Sequence, residues 1–380
     1  MLNFLKNVLS SVLLFQSCCL FGQIDNSVFY SNNKEINPAD SGKLLFRTEN
    51  TNFFKNNEYF NKIVVGYTEI GYLLKPELVY SPTSRIRISG GVQLLKYSGI
   101  NKFSDVLPVF SFQYKLLPQL DVVMGSIYGG LNHKLIEPVY QFENSYNHPV
   151  ENGVQFLYKT SRIESDIWLE WERFIFQGSP YQEQLCQGTS SKIWLNDKDK
   201  KLTVSIPIQT IITHHGGQIN ANKDQPLQTI ANLGSALSLD WNRPESFIKK
   251  INFQGWLIDY HDLSPNKQQK FNSGFGLYPC LNLESQCFKM MCAYWAGNKF
   301  FSLKGEPMFR SVSTVDSMYT EKNRQLLNFK LAYEKYIAKG IALSLRFESY
   351  YGMKDHNFDY SYGLHLIFNR DFFITRLKQD

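Results

Sequence analysis

Apolar and polar residues alternate along most of this chain, and the alternating runs are joined by connections that are short and long in turn. A period of two belongs to a strand with one buried face. Leu202, Val204, Ile206, Ile208, Thr210 and Ile212 share one face, opposite Thr203, Ser205, Pro207, Gln209 and Thr213. Ala231, Leu233, Leu237, Leu239 and Trp241 likewise oppose Asn232, Gly234, Ala236, Ser238 and Asp240. The same reading predicts strands over 43–52, 72–81, 85–98, 107–117, 119–129, 152–161, 163–175, 183–195, 201–214, 229–242, 248–261, 273–283, 288–298, 325–337, 340–352 and 359–370. That is about sixteen strands, with roughly 14–18 compatible with the pattern. Many have the length that crosses a bilayer at a tilt.

The connections fall into two sets. Those at 81–84, 117–118, 160–162, 196–200, 244–247, 284–286 and 339–340 are tight. Those at 53–71, 99–106, 130–151, 176–182, 215–228, 262–272, 299–324 and 353–358 are mostly longer. Strict alternation of the two predicts an all-β fold, a transmembrane antiparallel up-and-down β-barrel with short periplasmic turns and long outer loops.

Composition agrees with that reading and removes others. Mean hydropathy is −0.29 although 43% of residues are hydrophobic and 15% aromatic, as expected if two unlike surfaces are averaged. No apolar run long enough for a spanning helix follows residue 22. A net charge of +6 over 380 residues is too mild to indicate nucleic acid. Met1–Gly22 has the Lys6 n-region, short apolar core and small terminal residue of a signal peptide. Residues 23–42 then form an N-terminal periplasmic or plug segment, and 43–380 the barrel. Cys280 and Cys287 flank a turn, so a bridge or two free thiols both fit there.

The polar face is expected to point inward. Aromatics such as Tyr72, Tyr80, Trp171, Trp241, Tyr333 and Phe368 end the apolar faces, as at membrane interfaces. About sixteen strands enclose a space that their own side chains cannot fill, so it is wet or plugged. Charges concentrate on the polar face. Arg47, Lys75, Arg85, Arg87, Lys115, Lys330 and Arg346 make one wall, with Glu334 and Glu348 among them. Glu164, Asp166, Glu170 and Glu172 make another, and Asp240 lies on a third strand. These are the candidate pore-lining residues, and a field across the lumen is the expected source of solute selectivity.

The terminal run Tyr360-x-Tyr362-x-Leu364-x-Leu366-x-Phe368 resembles the last strand of outer-membrane barrels. Phe53–Phe60, Gly66-Tyr67-Thr68 and Arg87–Tyr97 resemble segments of porin-like outer-membrane β-barrel proteins of Bacteroidota. The resemblance implies location in the cell outer membrane and contact with lipid and lipopolysaccharide.

No nucleotide loop, zinc-ligand spacing or nucleophile elbow is present. His214-His215, His261 and His365 stand on or beside strands without a ligand spacing. The sequence therefore predicts no catalytic, cofactor or metal residues and a chain that is not an enzyme. The expected function is passive diffusion of small hydrophilic solutes, with loops 130–151 and 299–324 as candidate constrictions. The alternative is a plugged barrel that binds another envelope protein, Phe53–Phe60 being suited to that contact. An outer-membrane hydrolase comes third.

Overall fold

The computed structural model describes residues 24–30, 34–217 and 225–377. The signal-peptide reading of 1–22 lies outside the described residues. Sixteen strands are present: β1 (Lys43–Glu58), β2 (Thr68–Thr83), β3 (Ile86–Tyr97), β4 (Asp105–Leu117), β5 (Leu120–Ser126), β6 (Asn152–Lys159), β7 (Ile163–Arg173), β8 (Gln184–Trp194), β9 (Leu202–His215), β10 (Gln228–Asn242), β11 (Lys250–Asp262), β12 (Ser273–Glu284), β13 (Phe288–Asn298), β14 (Asn323–Ala338), β15 (Ile341–Gly352) and β16 (Phe358–Arg376). Each pairs antiparallel with its neighbours in sequence, and β16 returns to β1, closing the barrel.

The alternation sorts as predicted. On β10, Leu233, Leu237 and Trp241 point outward and are 42–48% exposed, whereas the inward Asn232, Ser238 and Asp240 are at most 4% exposed.

Two boundaries move. β1 runs on to Glu58, so most of Phe53–Phe60 is strand and not a free loop. Phe53 faces inward and stacks on Tyr146 at 4.3 Å between ring centres, which removes it as a partner contact. β16 runs on to Arg376, paired with β1 alone past Phe368.

The lumen is filled. β5 is the shortest strand, because the chain leaves the sheet at Gly125 and turns inward. Gly125 has φ +88°, and a Cβ there would lie 2.2 Å from the Phe110 carbonyl oxygen, so only glycine makes this exit. Residues 127–151 then fold into the barrel with a 3-10 turn (Gly130–His133) and a short helix, α1 (Asn144–Asn147). Residues 299–322 enter from the same, long-loop end. Their Phe300, Phe301, Met308 and Phe309 pack with Ile136, Val139 and Tyr140 of the first loop and with the inward Trp256, Tyr278 and Trp295. The main hydrophobic cluster thus lies inside the barrel. The segment before β1 lies inside as well: Ile24, Val28 and Ile36 are buried, Lys289 bonds Asp25 at 2.7 Å, and Arg346 donates to Asn26 at 2.7 Å. Cys280 and Cys287 carry free thiols and do not bridge.

Candidate functional site

Strand β7 carries Glu164, Asp166, Trp168, Glu170 and Glu172 at alternate positions, so all five face the lumen. Each carboxylate meets a cation from one of the two inward loops. Lys134 reaches Glu164 at 2.7 Å and Lys304 reaches Glu172 at 2.5 Å. His133 bonds Asp166 at 2.9 Å, and His148 bonds Glu170. The acidic wall is therefore a docking strip for the plug, and the expected field between bare opposite walls is replaced by local pairs.

His133 is the most constrained of these groups. It closes the Gly130–His133 turn, its side chain has no solvent exposure, and its ring lies flat on Trp168 at 3.5 Å with an 8° tilt. Trp168 in turn covers Gly188, where a Cβ would come within 2.0 Å of the indole. Nδ1 faces Asp166, and Nε2 faces Glu151 at 3.0 Å. Glu151 also accepts from the Gly130 N–H (2.8 Å) and the Tyr140 hydroxyl (2.9 Å), and Asp166 accepts from Gln155 (2.8 Å). Burial opposes a charge on His133, but the Asp166 and Glu151 carboxylates outweigh it and raise its pKa to about 9. Burial likewise opposes ionised Glu151, but His133 and the Gly130 N–H hold it down at about 2. The trio is an imidazolium between two carboxylates at neutral pH.

The other predicted residues are distributed as follows. Arg47 forms a two-pronged pair with Asp371 at 2.7 and 2.9 Å. Lys75 bonds Glu49 at 2.6 Å, Lys115 bonds Asp121 at 2.6 Å, and Arg87 donates to the Glu35 carbonyl at 2.7 Å. Asp240 accepts from Lys192 at 3.1 Å, and Glu334 pairs with Lys289 at 2.6 Å. Lys330, 1% exposed, bridges Glu348 at 2.8 Å and Glu137 of the first loop at 2.5 Å, and Arg346 lies 3.9 Å from Glu348. Arg85 differs from the rest: it is exposed in the turn before β3 and donates to the Lys115 and Leu116 carbonyls at 2.7 Å, outside the lumen. His365 is buried on the inward face of β16 and held by the Tyr146 hydroxyl.

A cavity of about 780 Å³ remains between plug and wall. It reaches Pro118 and Gln119 of the β4–β5 turn, so its mouth is at the short-turn end, and His133 and Asp166 belong to its inner wall. Among the described residues, one group has metal-ligand spacing: Glu170, Glu172 and Cys186 offer atoms within 4.8 Å of one another. His148 and Lys304 already neutralise its carboxylates.

The pattern of strands could not reveal His133, Glu137, Glu151 or Lys304, because all four lie in connections. A usable signal was present, since solvated loops do not need Val139, Tyr140, Phe142, Phe300, Phe301 and Phe309.

Comparison with known proteins gives the fold and a family. The chain is similar to the OccAB4 structure from Acinetobacter baumannii (9% identity, 88% of this chain and 100% of that one, TM-score 0.50). It is also similar to OprD of Pseudomonas aeruginosa (9% identity, 90% and 99%, TM-score 0.50). A third likeness is to a loop-deleted OmpT, an outer membrane protein of Vibrio cholerae (8% identity, 86% and 100%, TM-score 0.51). At these identities the likeness is of fold alone. No curated protein matches the chain. A family model described as lipid A 3'-O-deacylase-type matches residues 36–377. That is an enzyme family, and the match overturns the expectation of a chain that is not an enzyme. The sequence does not display an enzyme site, because no nucleophile and base stand at a fixed spacing along one strand.

Proposed function

The chain belongs to the lipid A 3'-O-deacylase-type family, and from that premise we propose that it is an outer-membrane hydrolase of ester-linked acyl chains on a lipid A-type glycolipid. The observation that carries the reading is the Asp166–His133–Glu151 trio, with His133 and Glu151 buried, at the wall of the cavity. Ester hydrolysis needs a base to take a proton from water and an acid to return one to the departing oxygen. When Glu151 swings off Nε2 and His133 is neutral, that nitrogen accepts the water proton as the water oxygen adds to the ester carbon. The imidazolium so formed then protonates the sugar oxygen as its bond to that carbon breaks. A free fatty acid and a hydroxyl result. Asp166 keeps its hydrogen bond to Nδ1–H throughout and fixes the tautomer.

The purified protein in detergent, given a lipid A-type glycolipid, should release fatty acid detectable by mass spectrometry. His133→Gln should lower the rate by about 100-fold or more, the range for loss of a general base. Because His133 must lose its proton, kcat/KM should rise roughly tenfold per pH unit up to about 9. No release by the folded wild-type protein between about pH 6 and pH 10 would sink the reading.

Passive diffusion of small hydrophilic solutes is the second reading, favoured by the charged cavity. The filled long-loop half weighs against it. A planar bilayer separates the two: wild-type protein that conducts steadily at low voltage supports the channel, and a silent barrel supports the hydrolase. In either case the outward apolar band would meet lipid and lipopolysaccharide of the outer membrane.

A further inference from the structure

We propose that the outer surface at the short-turn end holds the headgroup of an anionic glycerophospholipid, with Lys339 and Arg370 as its principal contacts. The inference goes beyond the hydrolase reading. It concerns the outer side of the wall, not the lumen.

Three guanidinium groups mark the level at which headgroups would lie. Arg85 is 5.2 Å from the centre of the Tyr114 ring, Arg243 is 4.8 Å from that of Trp241, and Arg370 is 5.4 Å from that of Phe372. Gln113, Asp240 and Asp371 point inward, so the next residues, Tyr114, Trp241 and Phe372, point outward. The three rings stand near the short-turn ends of β4, β10 and β16, strands spread round the barrel. An outward ring with a cation on it suits the boundary between acyl chains and water. The ring rests among the chains, and the cation keeps donors for phosphate.

Around Arg370 such donors converge. Asn369 donates its N–H to the Gly340 carbonyl at 2.9 Å, which brings Arg370 beside Lys339 in the β14–β15 turn. Lys335 is exposed on the outward face of β14, just before that turn. Among the described residues, none of the three forms an ion pair. The carboxylates next to them in the chain, Glu334 and Asp371, face the lumen and pair there with Lys289 and Arg47. Past Phe368, β16 has no strand on this side, so the space beside Arg370 is open. The exposed Tyr336, Ile337 and Phe373 flank it with apolar surface.

Uncompensated cations on an apolar rim select a lipid by charge. A phosphodiester of a neutral alcohol brings one negative charge, whose oxygens suit the guanidinium fork and the Lys339 ammonium. A zwitterionic headgroup also brings an ammonium group, which the same cations repel.

The test places the full chain in vesicles of equal parts phosphatidylglycerol and phosphatidylethanolamine. The protein is then extracted in mild detergent, and its retained lipid is measured by mass spectrometry. Wild type should retain phosphatidylglycerol over phosphatidylethanolamine by about fivefold or more, the effect of one Lys or Arg at an anionic surface. Lys335→Gln, Lys339→Gln and Arg370→Gln combined should bring the ratio to within about twofold of the vesicle composition. Lys200→Gln with Lys201→Gln removes two exposed cations from the β8–β9 turn at the same end and should leave the ratio unchanged. Heat-modifiable migration on a gel checks that each variant forms its barrel. Equal retention of both lipids by wild type, an unchanged preference in the triple variant, or an equal loss in the Lys200 and Lys201 variant would each overturn the proposal. The readout involves no hydrolysis, so its failure leaves the hydrolase reading standing, and failed hydrolysis leaves the lipid preference standing.

Discussion

His133 is held by charge, and that makes its surroundings sensitive to proton concentration in a defined direction. Its pKa is raised from 6.5 to about 9, so its contribution to stability is fully present below pH 6.5 and fades as the pH rises through 9. Glu151 is lowered from 4.5 to about 2, so its contribution is present above pH 4.5 and is lost as the pH falls through 2. Urea midpoints of the refolded barrel should therefore be flat between about pH 5 and 6.5 and fall between about pH 7 and 10. A midpoint that rises across the alkaline range would contradict the trio. Removing the central cation with His133→Gln leaves the buried Glu151 and the half-buried Asp166 carboxylates facing each other. The expected loss is about 3–5 kcal/mol, readable in the same denaturation experiment. Gly188→Ala tests the shelf behind the ring. A methyl group 2.0 Å from Trp168 must push the indole toward His133, costing about 1–3 kcal/mol and shifting the indole's near-ultraviolet signal.

At the scale of elements, β7 is the strand that explains the plug. Four inward carboxylates on eleven residues are tolerable because two loops bring four cations to them. Glu170→Gln combined with Glu172→Gln would leave His148 and Lys304 without their carboxylate partners. Loop 299–322 should then become cleavable by added protease, and conductance steps should appear in bilayers where the wild type is silent. Protection equal to wild type would mean that the aromatic cluster alone holds the loop. Glu164→Gln is the internal control, because the Glu164 and Lys134 side chains are 41% and 51% exposed. Its effect should stay under about 1 kcal/mol.

Which parts of this could be read beforehand follows from period and distance. Strands such as β10 and β13 were legible because an apolar outer surface and a polar inner one impose an alternation that each residue reports by itself. The pairing of Lys304 with Glu172 was not legible, because it joins segments more than a hundred residues apart and the segment of Lys304 carries no period. Trp168 shows the same limit from the other side. It stands on the acidic face of β7 as an apparent break in the pattern, and its reason, the His133 ring, is supplied by a loop. The closed barrel and the segments that enter it were thus visible in the chain, and the pairs those segments make inside it were not.

For the whole molecule, closure and filling depend on one another. The inward Lys330 contacts Glu348 on the next strand and Glu137 on the plug, so it ties the wall to its contents while 1% exposed. Lys330→Met should leave Glu137 without its cation and Glu348 with only the more distant Arg346, costing about 3–5 kcal/mol, and should raise the fraction of protein that migrates as the unfolded band on unheated gels. The seam between first and last strands has a consequence in time. Arg47 finds Asp371 across 324 residues of sequence, and the β1–β16 ladder runs from Lys43 to Glu58. Contacts of that separation form late and slowly. Until they do, the sheet has two open edges, and inward loops that anchor on β7 and β14 have no enclosed space to occupy. The last strand to be synthesised is then the step that commits the chain, and any delay there lengthens the period in which the unpaired edges can recruit a neighbouring molecule.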